Sequence, residues 1–143
     1  MKKLILVVAC GISLLANDVI IKESKYTVTQ TVKNIKNIVE KKGLRLFSVI
    51  NHQANAKKVG VKMRESKLVI FGNPKMGTNL MRNNIVVGLD LPMKVLVYKD
   101  EDKKVKLAYR DGSWLKNEHS LTMDKLTNKA TNALNKITNK ASK

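Results

Sequence analysis

The chain has 143 residues, of which 28 are Lys or Arg and 11 are Asp or Glu, so its formal charge is +17 at pH 7. This length suits one domain with a modest core. The charge attracts anionic partners, but six aromatic residues and lysines spread along the whole sequence argue against nucleic acid. We interpret most of the charge as a solvated, lysine-rich surface.

The amino terminus has the layout of a cleavable signal peptide. Lys2 and Lys3 precede an unbroken apolar run over residues 4–16, after which the sequence turns polar. The run is shorter than the roughly 20 residues that a membrane-spanning helix needs, and the small Ala16 suits cleavage. We therefore predict that residues 1–16 are removed and that the mature protein is periplasmic or secreted. A short uncleaved anchor is one alternative.

A lipoprotein is the other alternative, because Cys10 lies in a Val-Val-Ala-Cys-Gly box of the kind that is cut and acylated at cysteine. Cleavage before Cys10 would leave residues 4–9 as the apolar region, below the roughly 7 to 15 residues usual there. We therefore prefer cleavage after Ala16. The mature chain then has no cysteine, which excludes a disulfide, a cysteine-ligated metal and a thiol nucleophile.

Strands and helices alternate in the first half of the predicted domain. Thr27 and Gln30 form a capping box before residues with helical apolar spacing, and Gly60 ends a short alanine-containing segment. The predicted elements are a strand from residue 19, a helix over 28–42, a strand over 44–50 and a short helix over 53–59.

The second half begins with a continuous apolar run and ends in a hairpin and a short helix. Asn73 is a good N-cap and Pro74 fits the first helical position, while the apolar piece over 85–91 suits a strand or a helix equally. The predicted elements are a strand over 68–71, a helix from residue 74, paired strands over 93–98 and 105–109, and a helix over 113–119.

The last segment, residues 122–143, has a pattern of its own. Six residues from Lys125 return almost unchanged from Lys136, an eleven-residue repeat that keeps apolar side chains on one helical face. Half of that face is alanine and no aromatic residue anchors it. We predict a basic amphipathic helical tail that packs weakly or not at all and is dispensable for folding. Weak contact with an anionic membrane is the alternative.

These elements predict the α+β class: two layers, with helices packed on a mostly antiparallel sheet. The predicted order is β-α-β-α-β-α-β-β-α, followed by the C-terminal helix. The predicted organisation is a signal peptide over 1–16, a single domain over 17–121 and the tail over 122–143.

Two short motifs carry a family resemblance. Phe-Gly-Asn-Pro stands at 71–74, and Leu-Asp-Leu-Pro at 89–92 leads into the strand over 94–98. With these motifs in this order, roughly residues 26–119 resemble the domain-of-unknown-function family numbered three hundred and two. The resemblance implies a two-layer α+β fold, often a lone domain in bacteria and archaea, with no agreed activity and no catalytic residue list.

No recognisable catalytic motif occurs, so the catalytic residues are unknown and enzymatic activity stays open. The sequence has two histidines, His52 and His119, and its carboxylates are scattered. We predict no metal site, because potential ligands are not clustered. The cofactor arrangement left open is a haem or copper bound without covalent attachment, with a histidine paired to Met76 or Met81.

The turn after the third strand is the better candidate for ligand binding. A helix start exposes backbone N–H groups, and Lys75 and Thr78 add a charge and a hydroxyl for an anion or carboxylate. We predict that His52 faces this turn across a partly open pocket, because each lies where a strand leads into a helix. The alternative is a purely structural turn and a histidine that caps its helix or lies in the core. The candidate ligand-binding residues are His52, Gly72, Asn73, Lys75, Gly77, Thr78, Tyr98 and Tyr109.

Three functions follow from these observations. The first is a periplasmic small-ligand binding module. The second is an enzyme that uses His52 as an acid or base. The third is an interaction protein whose basic face or tail contacts anionic membrane or cell wall. A homodimer is compatible with each of them.

Overall fold

The computed structural model describes residues 18–143, so the predicted signal peptide, its cleavage site and Cys10 lie outside the described part of the chain. Its centre is a sheet of five antiparallel strands in the order β1-β5-β4-β3-β2. The strands are β1 (Ile20–Ser24), β2 (Arg45–Asn51), β3 (Ser66–Gly72), β4 (Met93–Lys99) and β5 (Val105–Tyr109).

Helices connect and flank these strands. The predicted α+β class, the antiparallel sheet and the order of elements are confirmed, and the segment that suited a strand or a helix equally is a 3₁₀ helix. The helices are α1 (Val28–Lys41), α2 (His52–Lys58), α3 (Pro74–Asn83), the 3₁₀ helix Ile85–Leu89, α4 (Gly112–Glu118) and α5 (Asp124–Ser142).

The main hydrophobic core lies on one face of the sheet, under α1. Thr27 begins this helix as predicted, because its hydroxyl accepts a hydrogen bond from the backbone N–H of Gln30 at 3.1 Å. Apolar residues at helical spacing then meet alternate residues of the strands. The buried residues of α1 and the sheet are Val28, Val32, Ile35, Val39, Val69, Phe71, Val95, Val97, Val105, Leu107 and Tyr109.

α5 completes the same core. Leu134 is 2% exposed, Ile137 is fully buried, and Ala130 and Ala141 are buried as well. The prediction that residues 122–143 form a separate, weakly packed tail is therefore wrong, and the domain does not end at residue 121. The alanines do not weaken the contact, because small side chains let a helix approach its neighbours closely and fill the space at native density.

Polar bonds fix the end of α5 to β1. The ammonium of Lys22 donates to the side-chain oxygens of Asn135, Thr138 and Asn139 at 2.7, 2.9 and 2.8 Å. The backbone N–H of Lys25 donates to the carbonyl of Ser142 at 3.0 Å. The last helix is thus bonded to the first strand as well as packed against the core.

The other face of the sheet carries an apolar row that neither α1 nor α5 covers. Its members are successive partners in the register of all five strands, so they cross the whole sheet side by side, half-buried or exposed. In order across the sheet they are Ile21, Ala108, Leu96, Leu68 and Ile50.

A second, smaller cluster closes the end of the sheet where β3 ends and β4 begins. Leu80 of α3, Val87 of the 3₁₀ helix and Leu115 of α4 are buried there together with Leu121. Among residues 18–143, no helix is long and apolar enough to cross a membrane.

Candidate ligand-binding site

The strand-to-helix turn at Gly72 forms as predicted. β3 ends at Gly72, Asn73 caps α3 by accepting a hydrogen bond from the backbone N–H of Met76 at 3.1 Å, and Pro74 takes the first helical position. This cap satisfies one of the N–H groups that a helix start leaves unpaired. The capped turn therefore has fewer free backbone N–H groups for binding an anion than an uncapped helix start would have.

A pocket of about 280 Å³ opens beside this turn. Its walls come from α3, from the segment before β4, from a β-bulge in β2 and from α5, and most of its surface is apolar. The wall residues are Phe47, Gly72, Asn73, Pro74, Met76, Gly77, Thr78, Leu80, Met81, Leu91, Pro92, Met93 and Ala130.

Four of the predicted site residues meet in this pocket, and a fifth does not. Gly72, Asn73, Gly77 and Thr78 line it, whereas the exposed Lys75 does not. The pocket thus has the shape of a ligand site but lacks the lysine that the anion hypothesis requires. An apolar ligand fits these walls better than an anion does.

His52 does not face the turn, so the predicted shared pocket is wrong. Asn51, the residue before His52, pairs with Lys67 near the start of β3, while Gly72 ends that strand. At the rise of a strand, the two positions are roughly 17 Å apart. The physical reason is the antiparallel pairing of β2 and β3, which places the residues following the two strands at opposite ends of the sheet.

The two tyrosines also lie outside the pocket. Tyr98 pairs with Ser66, so it lies toward the His52 end of the sheet. Tyr109 is 4% exposed in the main core, and its hydroxyl accepts a hydrogen bond from Thr138 of α5 at 3.4 Å. Neither ring forms a wall beside Gly72.

The histidines are not placed as an axial pair for the pocket methionines. His52 lies at the far end of the sheet from Met76 and Met81, and His119 is buried with its Nε2 2.7 Å from a carboxylate oxygen of Asp90. No group of three or more His, Cys, Asp or Glu residues within 18–143 could hold a metal ion.

The family model described as "Domain of unknown function DUF302" matches residues 20–141. The chain belongs to the DUF302 family. The match includes α5, in agreement with the packing of that helix in the core. The DUF302 chain also has the fold of the crystal structure of an uncharacterized conserved DUF302 protein from Bacillus stearothermophilus. The TM-score is 0.79 at 13% identity, over 88% of this chain and 99% of that one.

Two curated relatives are longer than this DUF302 chain. It is 35% identical over 109 residues to "Fluoride-specific ion channel FluC 1" of Brucella suis biovar 1 (strain 1330), which is 76% of this chain and 43% of that protein. The match to "Fluoride-specific ion channel FluC 1" of Brucella abortus biovar 1 (strain 9-941) has the same identity and covers 40% of that protein. This chain thus spans about two fifths of the length of these relatives.

Four of the thirteen wall residues of the DUF302 pocket were among the predicted site residues. Leu91 and Pro92 belong to the second family motif, and that motif was the one available signal that they matter. Met76 and Met81 belong to the apolar pattern of α3. Such a pattern is the same for residues in a core and for residues in a pocket wall. Phe47 enters the wall because β2 has a bulge between Leu46 and Ser48, and no turn residue marks that bulge.

Proposed function

We propose that this DUF302 domain is a small-ligand binding module and that its ligand enters the pocket beside Gly72. The observation that carries the proposal is that both family motifs line this one pocket. Gly72, Asn73 and Pro74 come from the first motif, and Leu91 and Pro92 from the second. The two motifs are separated in sequence, and forming the wall of one ligand pocket is a role that they would share.

The wall chemistry selects the ligand class. Thioether and aliphatic side chains from Met76, Leu80, Met81 and Leu91 form the body of the pocket, and such walls adapt to flat or irregular apolar molecules. The exposed Thr78 supplies a hydroxyl at the rim. The volume lies just below the roughly 300 Å³ at which drug-sized sites begin. The ligand class is therefore a small, mostly apolar molecule with one hydrogen-bonding group.

Methionine methyl resonances test the proposal directly. With ¹³C-methyl methionine in the protein, we expect indole to shift the signals of Met76, Met81 and Met93, which line the pocket. The exposed Met63, which lies outside its walls, is the internal control. Shifts of equal size at Met63, or no shift at the three pocket methionines, would contradict the proposal.

Two substitutions at Gly77 separate binding from stability. A Cβ added there meets only the Cδ1 of Leu91, at 3.8 Å, which is an ordinary contact. We expect Gly77→Leu to fill the pocket and abolish the indole shifts. Gly77→Ala lies in a helix and should raise the free energy of unfolding by about 0.5–1 kcal/mol while narrowing the pocket only slightly. If Gly77→Leu still shows the indole-induced shifts, indole binds outside this pocket and the proposal is wrong.

A second candidate function follows from the Brucella relatives, in which a segment 35% identical to this chain forms part of proteins named fluoride-specific ion channels. This chain would then act together with such a channel. Deleting its gene in the host should reduce growth in fluoride, and re-expression should restore it. Unchanged fluoride tolerance in the deletion strain counts against this function.

Export to the periplasm is part of the proposed function. The apolar run over 4–16 with two preceding lysines supports it. We expect the intact mass of the protein from the periplasm to match a chain that begins at Asn17. A chain that begins at Cys10 with added lipid mass, or one that retains Met1, would show that the cleavage prediction is wrong.

A further inference from the structure

A second cleft lies on the uncovered face of the sheet and shares one lining residue, Met93, with the pocket proposed above. Its volume is about 340 Å³, within the usual range for small-molecule sites. Leu68, Leu96 and Ala108, three members of the apolar row, form its floor, and the segment after the 3₁₀ helix and the start of α4 form its sides. This floor continues along the row toward both edges of the sheet.

Lys94 stands at the edge of this floor. It shares the face of Leu96 on β4, and its ammonium donates to the backbone carbonyls of Asp90 and Pro92, each at 2.9 Å. An ammonium has three N–H donors, so two are used within the described residues. Burial lowers the pKa of Lys94, opposed by the nearby charge of Asp90. A cation shielded from water in this way gains more from an adjacent anion than an exposed one does.

Arg110 and Trp114 also line the cleft, near Lys94. The guanidinium of Arg110 lies over the indole ring of Trp114, 4.8 Å from its centre, and both residues line the cleft. A guanidinium held on a ring keeps its N–H edge available for a carboxylate. The cleft thus has two cations beside its apolar floor.

The carboxylate of Asp90 also lines the cleft. One of its oxygens lies 2.7 Å from Nε2 of the buried His119, and that contact fixes the side chain. The two cations that line the cleft, Lys94 and Arg110, thus outnumber this one carboxylate.

We propose that the cleft holds a single-chain fatty acid, with the carboxylate between Lys94 and Arg110 and the aliphatic chain along the apolar row. This ligand is anionic and elongated, and its binding does not depend on the proposed function. A second copy of the chain is the rival occupant of an open apolar face. It is disfavoured because the sequence carries a formal charge of +17, and facing copies would bring like charges together.

Titration with decanoate and decanol tests the proposal on the full domain. We expect decanoate to bind more tightly than decanol, which has the same chain and no charge. Lys94→Met keeps an unbranched apolar side chain but removes the ammonium. It should weaken decanoate at least about tenfold, as expected for the loss of a charge-assisted hydrogen bond, and leave decanol unchanged. The charge-matched control is Lys129→Met at an exposed position of α5, which should bind decanoate normally.

A second variant keeps the test decisive if Lys94→Met folds poorly. Ala108→Leu fills the floor without changing any charge, and it should weaken decanoate and decanol alike while the indole-induced shifts of Met76 and Met81 stay intact. Equal affinity of wild type for decanoate and decanol would overturn the proposal, as would normal decanoate binding by Lys94→Met or by Ala108→Leu. So would sedimentation that shows a dimer which Ala108→Leu disperses and decanoate does not.

Discussion

Gly112→Ala is expected to lower the free energy of unfolding by about 3 kcal/mol or more, at the upper end of what overpacking costs. A Cβ at this position would lie 2.0 Å from the carbonyl oxygen of Thr127 and 3.0 Å from the hydroxyl of Thr131. The first obstacle is backbone of α5, which cannot rotate away as a side chain can. The helices α4 and α5 would have to separate, and the cluster around Leu115 would open.

Helix propensity alone predicts the opposite sign, because alanine is favoured over glycine in a helix by about 1 kcal/mol. Gly77→Ala is therefore the matched control, since it makes the same change in α3 with only the 3.8 Å contact to Leu91. Urea unfolding of both variants should show opposite shifts of the midpoint at the same slope. Equal stabilisation by both substitutions would show that α4 does not lie against α5 as described.

Ile137→Ala is expected to cost about 2–5 kcal/mol of unfolding free energy, as do other large-to-alanine changes in a core. Ile137 is fully buried between α1 and the sheet, whereas its neighbour Lys136 is exposed. Lys136→Ala should therefore remain within about 0.5 kcal/mol of wild type. The same urea experiment compares the two variants. A small effect of both would restore the interpretation of this segment as a dispensable tail.

Local chemistry is what the sequence predicted well. Thr27 and Asn73 cap the helices that they were expected to begin, and the strands over 93–99 and 105–109 pair as a hairpin. These features depend on residues close together in the chain. In the two caps, a side-chain oxygen binds a backbone N–H group only three residues away. The turn at Gly72 was found for the same reason.

Long-range pairing is what the sequence did not supply. β2 pairs with β3 in an antiparallel register, and this alone moves His52 away from Gly72. Nothing in the local composition distinguishes that pairing from one that would bring them together. Likewise, the apolar face of α5 has the same pattern whether the helix is packed or free. Only the three-dimensional core, which includes Leu134 and Ile137, shows that the helix is packed. Most of the pocket wall was missed because it is assembled across elements.

The bonds between Lys22 and α5 also have a consequence for the timing of folding. β1 pairs with β5, and its cation is held by Asn135, Thr138 and Asn139, so the first strand leaves the ribosome long before its partners exist. At about 5 to 20 residues per second, synthesis from residue 22 to residue 137 takes roughly 6 to 23 s. Through that interval the nascent chain lacks residues that its core requires, such as Leu134 and Ile137.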